Sequence, residues 1–174
     1  MTDIGIGVMG CGWLGLPLAS EFVSLGHHVK GTTTSKEKLD VLLESGIRPY
    51  QIHITPDSIK GDISGFLENL DILVLNIPPR LRQENKESYV RKMENLIHTI
   101  TQSSLKSIIF ISSTSVYGEQ EGDITEDTSP KPKTESARQL VEVENLFRKI
   151  NIDTTIIRFG GLIGDDRHLS LIHI

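Results

Sequence analysis

The 174-residue chain carries 18 Lys and Arg against 23 Asp and Glu, a formal net charge of -5 at pH 7, and 37% of its residues are hydrophobic. This length and composition suit one domain with its own core. The basic residues are spread along the chain, unlike those of a nucleic-acid-binding protein. No apolar run approaches the roughly 20 residues that span a bilayer, and the N-terminus lacks the basic region of a secretory signal, so we expect a cytoplasmic protein without membrane contact. A single cysteine, Cys11, excludes an internal disulfide, and we predict no bound metal.

Apolar segments of strand length alternate with amphipathic segments of helix length, as in a parallel sheet covered by helices. Six strands are predicted, at residues 4–9, 28–32, 50–54, 71–77, 107–111 and 154–159. Helices are predicted at residues 14–25, 36–45, 63–70, 84–102 and 134–149, with Gly26 ending the first and Thr134 capping the last. This order predicts an α/β fold with a doubly wound parallel sheet, the Rossmann arrangement.

A glycine-rich turn, GCGWLG, separates the first predicted strand from the first helix and matches G-x-G-x-x-G. Gly10 permits a tight turn, Gly12 lets a pyrophosphate approach the backbone, and Gly15 lets helix and strand pack closely. The helix N-terminus offers N–H groups and partial positive charge to the phosphates. Glycines that serve only the turn are the alternative, which the position inside a β-α-β unit disfavours. The loop's candidate cofactor-binding residues are Gly10, Cys11, Gly12, Trp13, Leu14 and Gly15.

Two side chains of this loop have a second interpretation. Cys11 is better explained as a small space-filling residue than as a reactive thiol. Trp13 either packs the loop or flanks the cofactor, and the sequence leaves both alternatives open.

The residues after the second strand bear on which dinucleotide binds. NAD sites usually place an acid about 20 residues beyond the glycines, to bind the ribose 2′-hydroxyl, but no acid occurs between Glu21 and Glu37. The sequence there is instead KGTTTSKEK, whose hydroxyls and cations tolerate a 2′-phosphate. We therefore predict NADP(H) over NAD(H), although a solvated helix start would have a similar sequence. The candidate contacts are Thr33, Thr34, Ser35 and Lys36, with Lys38 as a further cation.

Four hydroxyl residues, 112–115, end the fifth predicted strand at the sheet edge where doubly wound folds bind ligands. Here the sequence resembles the extended branch of the short-chain dehydrogenase/reductase superfamily, the NAD-dependent epimerases and dehydratases. The matching motifs are GCGWLG, FISSTSVYG and IIRFGGLIGDDR, and the resemblance covers residues 4 to about 167. We expect an NAD(P)-binding domain over residues 1–168. The last six residues, 169–174, do not resemble the family's continuation, so we expect a truncation there and a missing substrate lobe.

The resemblance implies roles for several residues of this chain. Ser113, four positions before the tyrosine of VYG, takes the place of the hydroxyl that contacts the reacting carbonyl or alcohol. The family's Tyr-x-x-x-Lys acid/base pair falls on Ser136 and Leu140 when Glu144 is aligned with the glutamate that follows the pair, and neither residue can replace it. This departure places the chain with atypical members, similar to bacterial YeeZ-like oxidoreductases.

Other polar residues near the same edge have open roles. Tyr89 and Tyr117 are candidates to replace the missing acid, although buried aromatic packing is the better-supported role for each. Asn76 lies over the cofactor's ribose or satisfies backbone groups. Arg158 forms a structural ion pair or faces the substrate, with the ion pair favoured.

The sequence thus predicts the NADP(H)-binding domain of an atypical extended dehydrogenase/reductase that acts on an unidentified carbonyl, alcohol or nucleotide-sugar-like small molecule. A non-catalytic NAD(P) sensor is the alternative, because the acid/base pair is missing. GCGWLGLPLA also resembles the opening of UDP-sugar dehydrogenases, but the acid after the second strand and the separate catalytic cysteine of those enzymes are absent. No nucleic acid partner is expected, and a homodimer is one assembly the chain could form.

Overall fold

The computed structural model describes residues 4–79 and 87–164. Its strands are β1 (Gly5–Met9), β2 (His28–Thr33), β3 (Arg48–Gln51), β4 (His53–Ile54), β5 (Ile59–Lys60), β6 (Ile72–Leu75), β7 (Ser107–Ser113) and β8 (Asp153–Phe159). Its helices are α1 (Gly15–Ser24), α2 (Lys38–Glu44), α3 (Ile63–Leu67), α4 (Tyr89–Ile100) and α5 (Glu135–Phe147), and a 3-10 turn (Thr114–Tyr117) follows β7. Within these ranges, no helix is long and apolar enough to cross a membrane.

Six of the strands form one sheet in the order β3-β2-β1-β6-β7-β8, and every neighbouring pair is parallel. The strand order reverses between β1 and β6. In such a sheet, the crevice outside the carboxyl ends of the strands at this reversal binds ligands. The predicted doubly wound Rossmann sheet is therefore confirmed.

The sheet is buried on both faces because its central strands are apolar throughout. One core cluster contains Phe110 and Phe147, whose rings stack with centroids 5.0 Å apart, and it lies under α4 and α5. A second cluster, which includes Val8 and Leu42, lies under α1 and α2. Alternate residues of β7 are buried, so Ser112 continues the buried face of Ile108 and Phe110. A polar side chain is thus directed into the α5 side of the core.

The third predicted strand is the main error in the secondary structure. Residues 50–54 are not one strand: β3 ends at Gln51, and the chain then forms a hairpin in which β4 pairs with β5. The backbone N–H of Thr55 donates to Ser58 O at 2.9 Å to close the hairpin turn. A single apolar run does not reveal such a break, because β3 and β4 belong to different sheets.

The helix ends agree with the predicted capping residues. Gly26 has a φ of 85°, which suits glycine after a helix. The Thr134 side chain accepts a hydrogen bond from Ala137 N at 3.2 Å and caps α5. Helix α4 begins at Tyr89 and is capped by Ser88, so it starts later than predicted. The predicted first residue, 84, lies outside the described residues.

Candidate functional site

A cleft of about 900 Å³ follows the carboxyl edge of the main sheet. Most of its lining comes from chain segments at the ends of the strands: residues 9–14, 32–35, 52–54, 76–79 and 111–113. The other lining residues are Lys38, Tyr89, Lys92, Met93, Phe159, Gly160 and Leu162. Among the described residues, its basic lining side chains are Lys38, His53 and Lys92, and no carboxylate lines it. An anionic ligand suits this lining.

The three glycines of the loop have three different surroundings. Gly10 has a φ of 102°, and a Cβ there would overlap Asn76 O. A Cβ on Gly15 would overlap Gly10 O and stand 3.0 Å from Asn76 Nδ2. Gly12 is exposed, and a Cβ there would meet nothing within 4 Å. Gly10 and Gly15 are therefore required by packing, whereas the space beside Gly12 is open to a ligand.

The start of α1 suits a phosphate group. Its N-cap residue, Leu14, makes no side-chain capping bond, and both Leu14 and the loop before it line the cleft. The loop's position is held from β2, because Gly10 N donates to Thr32 Oγ1 at 3.0 Å and Cys11 N donates to Thr32 O at 2.8 Å. A helix N-terminus without a capping side chain attracts anions, so the residues present fit a dinucleotide pyrophosphate.

The side chain of Cys11 points away from the cleft. It is 4% exposed, packs in the core cluster under α1, and donates a weak hydrogen bond to Val8 O at 3.5 Å. Burial raises the pKa of the thiol to about 12. Cys11 fills space, as predicted, so any contact with a cofactor would come from its backbone.

We expect iodoacetamide to label Cys11 very slowly in the folded protein. A thiol with a pKa of about 12 is only about one part in ten thousand thiolate at pH 8, against roughly a tenth or more for an unperturbed cysteine. Labelling of the native chain should therefore be at least about a thousandfold slower than in urea, and should still accelerate above pH 9. The urea reaction is the control, and mass spectrometry gives both rates. Complete native labelling within minutes at pH 8 would contradict this assignment.

The end of β2 places most of the predicted ribose-side residues on the cleft. Thr33, Thr34, Ser35 and Lys38 line it, whereas Lys36 does not, and the predicted contacts of these residues with a cofactor stay predictions. The Ser35 hydroxyl donates to Glu37 Oε2 at 2.5 Å, and this hydrogen bond lowers the pKa of the exposed Glu37. Helix α2 begins at Lys38 and not at the predicted residue 36.

Ser113 and its neighbour Ser112 both lie at the cleft but have different partners. Ser113 Oγ accepts a hydrogen bond from Ser115 N at 3.1 Å, which caps the 3-10 turn. This bond uses a lone pair of Oγ, so the hydroxyl hydrogen can donate to a ligand. The Ser112 hydroxyl instead donates to Glu144 Oε1 at 2.7 Å, inside the protein.

The two candidate tyrosines both donate their hydroxyl to a backbone carbonyl. Tyr89 is almost fully buried, donates to Ile77 O at 2.8 Å, and has a pKa raised by burial. Tyr117 donates to Thr125 O at 3.0 Å. These contacts suit the packing role for each tyrosine; their catalytic role stays a prediction.

Asn76 and Trp13 each combine a packing contact with a place on the cleft wall. Asn76 Nδ2 donates to Gly10 O at 3.2 Å, which satisfies the loop backbone. The Trp13 ring lies against Gly164, where an added Cβ would stand 2.5 Å from Trp13 Cζ2. Trp13 therefore joins the glycine loop to the segment after β8.

The ion pair favoured for Arg158 is present. Its Nη2 lies 2.6 Å from Glu144 Oε2, and its Nε donates to Glu144 Oε1 at 3.0 Å. The hydrogen bond to Glu144 raises the pKa of Arg158 above its ordinary value. On α5, Leu140 is a core residue and Ser136 does not line the cleft.

Some cleft residues were not predicted as site residues. His53 comes from the unpredicted hairpin, and Lys92 and Met93 come from α4. Lys92 forms an ion pair with Glu87, with Nζ 2.5 Å from Oε2. No local motif marks these residues, because they reach the cleft only through the packing of the hairpin and α4 against the sheet edge.

A family model described as NAD(P)H-binding matches residues 10–172, which is nearly the whole chain. The chain belongs to the NAD(P)H-binding family. It is 33% identical over 165 residues to protein YeeZ of Escherichia coli strain K12, a match that covers 94% of this chain and 60% of YeeZ. These findings confirm the predicted resemblance to YeeZ-like proteins.

Solved structures share the fold of this chain. A candidate NAD-dependent epimerase/dehydratase from Methylobacillus flagellatus is 28% identical, with a TM-score of 0.72 over 95% of this chain and 57% of its own. UDP-glucuronic acid 4-epimerase from Bacillus cereus, solved with NAD, is 20% identical, with a TM-score of 0.72 over 90% of this chain and 56% of its own. The chain thus spans somewhat more than half the length of these proteins.

Proposed function

We propose that the chain is the NADP(H)-binding domain of an atypical extended short-chain dehydrogenase/reductase, located in the cytoplasm, which acts on a carbonyl, alcohol or nucleotide-sugar-like small molecule. The observation that carries the proposal is the cleft at the strand-order reversal, which joins the glycine loop to a basic lining without a carboxylate among the described residues. The cofactor would supply or accept hydride there.

The proposal is tested by calorimetric titration of the expressed chain with NADPH and NADH, with quenching of Trp13 fluorescence as a second signal. We expect saturable binding of both cofactors. Binding of neither would contradict a dinucleotide-binding function.

The choice of NADP(H) is supported by the chemistry at the end of β2. A carboxylate at this position would accept a hydrogen bond from the ribose 2′-hydroxyl and would repel a 2′-phosphate. Here the cleft instead has the hydroxyls of Thr34 and Ser35 beside Lys38. Glu37 lies next to this group but binds the Ser35 hydroxyl, and it is not among the lining residues.

We expect Lys38→Gln to raise the NADPH dissociation constant about five- to tenfold, because an exposed charge-assisted bond to the 2′-phosphate is lost. The NADH dissociation constant should stay within about twofold, because NADH has no 2′-phosphate. Lys36→Gln is the matched control: the substitution is the same, two residues away and off the cleft wall. Tighter binding of NADH than NADPH by the unchanged chain would contradict the NADP(H) assignment.

Ser113 is proposed as the residue that contacts the reacting oxygen. Its hydroxyl lies on the cleft wall and has a hydrogen to donate. Tyr89 and Tyr117 are less suitable acids, because each already donates to a carbonyl. Ser113 alone can bind and orient a carbonyl, but a serine hydroxyl without an adjacent base is a poor proton donor at neutral pH.

A non-catalytic NAD(P) sensor is the second candidate function. It is favoured by α5, where the expected positions of the tyrosine and lysine are held by Ser136 and by the core residue Leu140. Cofactor oxidation by the expressed chain with a panel of aldehydes, ketones and nucleotide sugars discriminates between the two. Turnover excludes a solely regulatory role, and binding without turnover favours it.

A further inference from the structure

A buried polar cluster joins α5, β7, β8 and the turn after β7. At its centre is Glu144, whose side chain is completely buried. Its carboxylate accepts hydrogen bonds from Ser112 Oγ, from Arg158 through two nitrogens, and from Arg148 Nη2 at 3.4 Å. A buried carboxylate with so many donors is held in one position.

The same cluster holds the 3-10 turn at both of its ends. Ser112, just before the turn, donates to Glu144 at 2.7 Å. Tyr117, the last residue of the turn, accepts a hydrogen bond from Arg158 Nη1 at 2.7 Å, and the guanidinium carbon lies 4.8 Å from the centroid of its ring. Ser112 and Arg158 are also register partners across β7 and β8. The Arg158–Glu144 ion pair therefore holds the turn from both sides, through Ser112 before it and through Tyr117 at its end. Ser113 is the N-cap residue of this turn.

Ser113, the N-cap residue of this turn, lines one particular half of the cleft. A doubly wound sheet binds one mononucleotide on each side of the strand-order reversal. The glycine loop and the end of β2 form the adenosine half. Ser113 of β7 and Gly160 after β8 line the cleft on the other side, so Ser113, which caps the turn, lies on the wall of the nicotinamide half.

We propose that Arg158 and Glu144 are positioning residues: they hold the 3-10 turn, and through it they hold its N-cap residue Ser113 on the wall of the nicotinamide half of the cleft. This inference rests on the proposed cofactor-binding function. Neither residue touches the cofactor in this proposal. Both act through Ser112 and Tyr117, so their loss should weaken nicotinamide binding more than adenosine binding.

The test compares NADPH with adenosine 2′,5′-bisphosphate, which contains only the adenosine half, by calorimetry on the Tyr117→Phe variant. This change removes the bonds to Arg158 and Thr125 but keeps the ring. We expect the NADPH dissociation constant to rise about five- to tenfold and that of the bisphosphate to stay within about twofold. A purely structural role of the hydroxyl would leave the ratio of the two constants unchanged.

Tyr50→Phe is the matched control. Tyr50 is also buried, donates its hydroxyl to Gly65 O at 2.9 Å and has cations over its ring, but it lies in β3 and away from the cleft wall. It should leave the ratio unchanged. Arg158→Lys, which keeps the charge but cannot bond Glu144 twice and Tyr117 together, should give the same split and serves if Tyr117→Phe does not fold.

A folded variant with an unchanged ratio, or an equal rise for both ligands, overturns the inference. Failure of the unchanged chain to bind either ligand is a different result: it overturns the proposed function, and this inference with it.

Discussion

Replacing Arg158 by methionine should lower the free energy of unfolding by about 3–5 kcal/mol, because it leaves the buried carboxylate of Glu144 without its main partner. Ser112 would still donate to Glu144, and Arg148, which is half exposed and 3.4 Å away, would compensate only in part. Urea unfolding followed by circular dichroism measures the change. A loss below about 1 kcal/mol would show that Glu144 reaches water or another partner when Arg158 is removed.

Two further variants separate the ion pair from general core disruption. Arg148→Met makes the same substitution at the weaker partner and should cost at most about 1 kcal/mol, as for an exposed ion pair. The double variant Glu144→Leu with Arg158→Met removes both charges, so it should recover most of the stability lost in Arg158→Met. If the double variant is as unstable as the single one, lost packing explains the effect better than the unpaired charge.

Gly15→Ala should lower the free energy of unfolding by about 1–3 kcal/mol and weaken NADPH binding by about a hundredfold or more, because the new methyl group overlaps the backbone oxygen of Gly10. Relief of that overlap must shift the loop or α1. The gain in helix propensity from alanine, about 1 kcal/mol, is too small to offset the overlap. Urea unfolding and calorimetry measure the two effects.

Gly12→Ala is the matched control for Gly15→Ala. Nothing lies within 4 Å of the added Cβ, so the stability should change by less than about 0.5 kcal/mol. NADPH binding should still weaken by about tenfold or more, because the methyl group projects where the pyrophosphate approaches the backbone. Equal stability and unchanged affinity in Gly12→Ala would contradict the placement of the pyrophosphate at this loop.

The elements with strong local signals were predicted well. The glycine loop, Gly26 after α1 and Thr134 before α5 depend on residues close together in the chain, and so their geometry can be read from a few positions. The hairpin at His53 was missed because the split between β3 and β4 depends on which sheet each segment joins. The cofactor roles assigned to the loop residues stay predictions.

The site was predictable only where one segment supplies it. Thr33, Thr34, Ser35 and Lys38 line the cleft, whereas Lys36 does not, and the contacts predicted between these residues and a cofactor stay predictions. For Arg158 the sequence left an ion pair and a substrate contact open. Its partner Glu144 lies 14 residues away on another element, and only their packing selects the pair.

By itself, the sequence determined the fold class, the glycine loop at the first strand and the absence of the usual tyrosine and lysine on α5, because each depends on residue type and on spacing along the chain. The tertiary structure decided which side chains meet: His53 and Lys92 at the cleft, the thiol of Cys11 in the core, and the cluster of Ser112, Glu144, Arg158 and Tyr117 behind the turn. Burial and long-range hydrogen bonds make those choices, because the free energy of a polar side chain depends on partners that the chain brings close only after it folds.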